Sequence, residues 1–242
     1  MEFRLGGSRL SRSMADYGSD SEKSSGKRIE QILDKMGIEC DVYVDGGSGH
    51  GNDITVSIDG QDVIFENKSS SGSRVDYKQF RIRIDEDEGI EQATMTDSEV
   101  LCGIFDSIKN ELDEELDVWN SEYPEGPSLT EAEAEHFWDE YKGDYTHSPS
   151  HDVHRCYITG QDLQDVLSSA GNDYIIIGEQ VFSLYSGSSI EELCDYIDEA
   201  YVVLRVKYHS TDRYSYTLTL RAKVSDSGQD FDDQIFRIFD SV

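Results

Sequence analysis

Residues 51–68 read Gly51-Asn52-Asp53-Ile54-Thr55-Val56-Ser57-Ile58-Asp59-Gly60-Gln61-Asp62-Val63-Ile64-Phe65-Glu66-Asn67-Lys68. Two short apolar segments, residues 54–58 and 63–65, flank Asp59-Gly60. Asp-Gly between β-prone runs predicts a hairpin, because a type I′ turn needs positive φ at both central residues. In a two-residue loop Ile58 faces Gln61, and counting outward sets Asp53 directly opposite Glu66. Pairs alternate from the closing one, so 53:66 is a non-hydrogen-bonded pair, the kind whose side chains approach most closely. Lys68 projects from the same face as Glu66. Two carboxylates held this way repel unless a proton, a cation or a metal compensates. With a lysine beside them, they suit a site that gathers positive charge and phosphate.

Upstream, the spacing predicts a helix over residues 25–37. Ile29, Ile32, Leu33 and Met36 recur at i, i+3, i+4 and i+7, Ser25 can cap it and Gly37 ends it. Glu30 sits at the edge of that stripe; an amphipathic helix accounts for it as well as a functional role does. Residues 1–24 are rich in Ser, Gly and Arg and read as a disordered N-terminal arm. Residues 40–44 read as a first strand and 46–51 as a flexible loop.

Downstream, a Ser/Gly loop at 69–73 leads to Asp76-Tyr77-Lys78-Gln79, either a helix start or a strand running on through Ile84. The alternation of Phe80, Ile82 and Ile84 with Arg81 and Arg83 favours the strand. Five basic residues (Lys68, Arg74, Lys78, Arg81, Arg83) stand against two acids (Glu66, Asp76) between Glu66 and Arg83. That reversal marks where an anion such as DNA is least repelled. A solvated face with scattered charges is the other reading.

Further on, residues 97–118 read as a helix with an acidic outer face. Thr130 with Glu133 fits a capping box for a second helix reaching Tyr141. The run His147-x3-His151-x2-His154-x-Cys156 has zinc-ligand residue types. It contains Pro149 and has no partner pair elsewhere, so it reads as a loop with incidental histidines. Residues 163–167 predict a short helix, and strands follow at 174–177, 181–185, 201–208 and 214–221. Arg205, Lys207, Arg213, Arg221 and Lys223 offer a second face for phosphate. No linker divides the chain, so residues 25–242 read as a single domain.

Composition sets the boundaries. The formal charge of −30 over 242 residues repels nucleic acid at long range and suits high salt or a mimic of nucleic acid. Any nucleic-acid site must be a local exception. Four scattered cysteines read as reduced thiols of a cytoplasmic protein. No run is apolar for long enough to span a membrane, and no signal peptide opens the chain.

The order helix with Glu30, strand, loop, Asp53, hairpin, Glu66-Asn67-Lys68, then Gln79 resembles the PD-(D/E)XK nuclease superfamily. That group includes many restriction enzymes, recombination exonucleases and Holliday-junction resolvases. Residues 174–178 followed by Arg205-Val206-Lys207 look like small restriction-endonuclease-like proteins of phages and other viruses. Asn52 stands where the family has proline. The resemblance implies an α+β (α/β) fold, a restriction-endonuclease-like αβββαβ core with a central mixed sheet flanked by helices, and here a β-rich C-terminal part. It implies Mg2+ (or Mn2+) held by Asp53, Glu66 and the Asn67 carbonyl, with Glu30 for a second ion or water. Lys68 would orient water or stabilise the transition state, and Gln79 would hold substrate or water. Arg74, Lys78, Arg81 and Arg83 would contact DNA, and a homodimer is compatible with it.

The leading expectation is a Mg-dependent DNA endonuclease hydrolysing phosphodiester bonds, virus-encoded and acting in the host cell if the phage likeness holds. The alternatives are a non-catalytic acidic structural or interaction protein, or DNA mimic, on a nuclease-like fold, and an unrelated acidic α+β protein.

Overall fold

In the computed structural model Asp59 and Gly60 sit at φ 51° and 80°, the positive values that a type I′ turn requires. The structure describes residues 20–44, 53–68, 74–85, 89–92, 99–130, 132–134, 149–210 and 213–240. The described residues begin with helix α1 (Asp20–Met36) and strands β1 (Asp41–Val44), β2 (Ile54–Ile58) and β3 (Gln61–Lys68). Then come β4 (Arg74–Asp85), β5 (Gly89–Gln92), helix α2 (Glu99–Glu122) and β6 (Ser150–Ile158). Helix α3 (Gly160–Ser169), β7 (Tyr174–Ile177), β8 (Gln180–Ser183) and a 3-10 helix (Leu193–Tyr196) follow. Strands β9 (Ile197–Ser210) and β10 (Arg213–Val224) precede a last helix, α4 (Phe231–Phe239). The fold is mixed α+β, and it divides into two compact units: residues up to 75, 160–198 and from 223 onward form the first, and 76–159 with 199–222 form the second.

In the first unit the sheet order is β1-β2-β3-β7-β8. Ile58 faces Gln61 and Ile54 faces Phe65, the register of a two-residue turn. β3 and β7 run parallel, with Phe65 beside Tyr174 and Lys68 beside Ile177. Asp173 fixes one end of that pairing: its N–H donates to the Ile64 carbonyl and its carboxylate accepts the Ile64 N–H, both at 2.9 Å. The Gly178 N–H donates to the Lys68 carbonyl at the other end. Parallel neighbours cannot be joined by a hairpin; here the return includes residues 76–159 of the second unit and α3.

One face of this sheet is apolar. Ile54, Val56, Ile58, Phe65, Tyr174, Ile176 and Val181 pack with Ile29, Ile32 and Leu33 of α1 and Phe231, Ile235, Ile238 and Phe239 of α4. Gly26 lets α1 approach β1: a Cβ there would lie 2.5 Å from Val44 Cγ2. Arg28 joins the two helices, pairing with Asp232 at 2.6 Å and with Glu179 while its guanidinium lies 4.4 Å from the Phe231 ring centre. At the far edge, the buried Gln234 side chain accepts the Val181 N–H at 2.8 Å and donates to the Val181 carbonyl at 2.7 Å.

The second unit has the sheet order β5-β4-β10-β9-β6. Leu101, Ile104, Phe105, Ile108, Leu112 and Leu116 form the buried stripe of α2. The buried Arg221 makes paired hydrogen bonds to Asp76, one of them 2.9 Å long. Asp152 lies 3.5 Å from Arg221 and 3.0 Å from Arg205. Arg205 and Arg221 therefore answer acids within the unit, where sequence offered them to phosphate.

Several expectations change. Residues 20–24, read as part of a disordered arm, are the first turn of α1; residues 1–19 lie outside the described residues. The histidine segment is strand β6 from Ser150 onward, because it pairs with β9 from Ser150–Lys207 to Ile158–Ala200. The segment holding Gln79, by contrast, is the strand that its alternation favoured. Thr130 and Glu133 do form a capping box, the Glu133 N–H donating to the Thr130 hydroxyl at 3.3 Å and the Thr130 N–H to the Glu133 carboxylate at 3.0 Å; residues 132–134 are helical and most of the rest up to Tyr141 lies outside the described residues.

Asp76→Ala leaves the buried Arg221 guanidinium with Asp152 and Tyr201 but without its paired carboxylate. Breaking a buried pair from one side costs about 3 kcal/mol, which urea unfolding of the variant will measure; a loss under about 1 kcal/mol would mean that solvent screens the pair.

Candidate functional site

Asp53 lies one residue before β2, and Glu66 and Lys68 lie on β3. Register puts all three on the face opposite the α1–α4 core. Lys68 Nζ is 2.5 Å from Glu66 Oε1 and 3.8 Å from Asp53 Oδ2. Asp53 accepts the Asn67 N–H at 2.8 Å, so its side chain continues the hairpin ladder past Ile54. All three side chains are largely buried, with 14%, 17% and 22% of their surface exposed for Asp53, Glu66 and Lys68. Ile175 and Ile177 stand beside Glu66 and Lys68 on β7 and keep water from one flank.

That setting determines the charges. Burial, then the neighbouring Glu66, pushes the Asp53 carboxyl up to about 6, against Lys68 and the Asn67 N–H, which favour the carboxylate. Burial works against the charged Lys68, but Glu66, Asp53 and Glu22 outweigh it and hold the ammonium above its ordinary range. The lysine is thus the cation that the facing acids require.

Glu22 was missed by sequence reading. Its charge acts on both Asp53 and Lys68, and it lies in the first turn of α1. The neighbouring Ser21 accepts a 3.2 Å hydrogen bond from the buried Asn67 side chain, fastening that turn to β3. The signal was present: Glu22, Gly26, Ile29, Leu33 and Met36 follow a 4-3-4-3 spacing along one stripe. Glu30 lies off that stripe, more than two turns along the helix, where its charge acts on Cys40. Of these two helix acids, Glu22 is thus the one whose charge reaches Asp53 and Lys68.

Gln79 is on β4, in the second unit, and its side chain is outside the described residues, as are those of Arg74, Lys78 and Arg81. Arg83 is exposed and stands opposite Glu91 of β5. Among the described residues no helix is long and apolar enough to cross a membrane. All four cysteines are free. Comparison with family models, curated proteins and solved structures found no match to this chain.

Asp53 gives a pH signature in the metal-free protein. Unfolded, the carboxyl loses its proton near the ordinary 3.8, and folded near 6. Between these values the native state holds a proton that the unfolded state has released. Stability therefore falls as pH rises through that window and levels off above it. A carbon-detected NMR titration should return an Asp53 midpoint near 6, moved higher by Lys68→Met. A midpoint near 3.8 would refute the crowding.

Proposed function

We propose that the chain is a magnesium-dependent DNA endonuclease of the PD-(D/E)XK type, hydrolysing phosphodiester bonds at Asp53, Glu66 and Lys68. The observation that carries this reading is the meeting of two buried carboxylates and a lysine at the end of one hairpin, 2.5 Å and 3.8 Å from its ammonium. Topology supports it. Within the first unit α1, β1, β2, β3, α3 and β7 follow in the order αβββαβ, with β4, β5, α2 and β6 intervening before α3.

The donor set fits a hard divalent cation. It consists of the Asp53 and Glu66 carboxylates, with the Asn67 carbonyl that the resemblance adds, all oxygen as Mg2+ or Mn2+ prefers. When bound, the ion supplies charge neutralisation at the scissile phosphate and a more acidic water. Asp53 and Glu66 hold it, and the crowding that favours a proton on Asp53 favours a cation as well. Lys68 keeps its proton in this setting, so its role is electrostatic. It orients the attacking water and stabilises the negative charge that grows on the phosphate oxygens. Glu22 takes the part first given to Glu30, a third carboxylate for water or a second ion.

A second reading, favoured by the formal charge of −30, is a non-catalytic acidic interaction protein or DNA mimic on the same scaffold. Plasmid DNA with Mg2+ separates the two. Under the nuclease reading the wild type cleaves, Asp53→Ala and Glu66→Ala do not, and Lys68→Ala loses at least about 100-fold in rate. Glu22→Gln should cost more than Glu30→Gln. Absence of cleavage at every salt concentration, or equal cleavage by Asp53→Ala, would favour the second reading.

The acidic surface generates a further expectation. Cleavage should persist in roughly 1 M KCl, where the Debye length is about 3 Å and self-repulsion is screened. Rate against salt concentration measures this, and loss of activity at moderate salt would count against adaptation to brine.

A further inference from the structure

We propose a second, separate metal site in the second unit, for a zinc-class ion held by Glu111, His154 and Cys156. Glu111 comes from α2, and His154 and Cys156 from β6. Their ligand atoms all lie within 4.8 Å of one another. Donor atoms around a tetrahedral zinc are about 3.3–3.8 Å apart, given bonds of about 2.0–2.3 Å. An ion would space the His154–Glu111 pair, now 2.6 Å apart, to that distance and draw the others to it, with the exposed Glu111 free to rotate.

The backbone prepares the arrangement. The irregularity in β6 between Asp152 and His154 separates the histidines. His151 packs edge-on to Tyr208, with ring centres 5.6 Å apart. His154 and Cys156, two residues apart beyond the irregularity, share a face. Glu111 and Glu115 are one helical turn apart on α2 and meet that face. His154 Nε2 is 2.6 Å from Glu111 Oε1, and Nδ1 is 3.6 Å from Glu115 Oε2. With Nε2 on the ion, Glu115 is the carboxylate that orients the ring through its other nitrogen, the usual outer partner of a metal-bound histidine.

The donor set distinguishes this site from the hairpin. One sulfur and one imidazole select a borderline or soft ion, whereas oxygen-only sets select magnesium. Cys156 is 1% exposed and forms the floor. The carboxylates of Glu111 and Glu115 are 55% and 43% exposed and form an open rim that admits a water as fourth ligand. The ion would pin α2 to β6 within the second unit.

Cobalt(II) is the probe. In excess Mg2+, which occupies diffuse acidic sites without binding thiolate, the full chain should take up one Co2+ and develop a thiolate-to-cobalt charge-transfer band. Zn2+ should bleach it. Cys156→Ser should abolish the band. Glu111→Gln and His154→Ala, at more exposed positions, should retain the far-ultraviolet circular dichroism and weaken Co2+ binding at least about tenfold. Absence of the band, its survival in Cys156→Ser, or unchanged affinity in His154→Ala would each overturn the proposal and leave an ordinary His–Glu ion pair. None of these readouts depends on DNA cleavage.

Discussion

The first unit depends on the parity of one hairpin. Two residues at positive φ close β2 onto β3, and every later contact inherits that register. With Ile58 against Gln61, the apolar residues of both strands face α1 and α4, and Asp53, Glu66 and Lys68 face the other way. One residue more in the turn would exchange the faces, sending acids into the core and isoleucines into the site. Core and candidate site are two sides of the same constraint.

Charge is the second constraint. Three acids act on one lysine among buried aliphatic side chains, in a chain already carrying 51 acidic residues against 21 basic ones. The excess is distributed over the surface, but at the hairpin it is concentrated where water cannot screen it. That is why Asp53 holds its proton more tightly than usual and Lys68 does too. The site is short of positive charge even with its lysine in place, a condition that a divalent cation or a phosphate-bound cation relieves.

The sequence was most legible where interactions are local. The turn, the register, Ile29–Met36 on α1, the α2 stripe and the strands from Tyr174 onward follow from spacing. Glu22 escaped because it falls in the Ser-, Gly- and Arg-rich stretch 1–24 that reads as an arm, with Ser25 taken as the cap, whereas α1 starts at Asp20 and Gly26 within it brings the helix against Val44. The helix α4 carried a readable pattern, Phe231, Ile235 and Ile238 behind an Asp230 cap, but it is short and follows a strand-rich region. The β6 segment was misread because its justification is distant: strand β9 pairs with it, and Glu111 on another element completes its side-chain cluster. The division into two units was invisible for a related reason. Each is assembled from separated stretches of chain, and no change of composition marks the crossings at 75, 159, 198 or 222.

The grip of Gln234 on Val181 has a consequence for assembly. β8 is an outer strand, and such strands expose hydrogen-bonding groups on which another chain can add. Here the outward N–H and C=O of Val181 are taken by the Gln234 amide, and the Ser183 N–H by the Glu191 carbonyl. Glutamine acts as one further rung of sheet, supplied by a side chain and followed by nothing. Growth of this sheet by templated strand addition is closed at β8, which leaves the four-residue β1, with its exposed Asp41 and Tyr43, as the opposite margin.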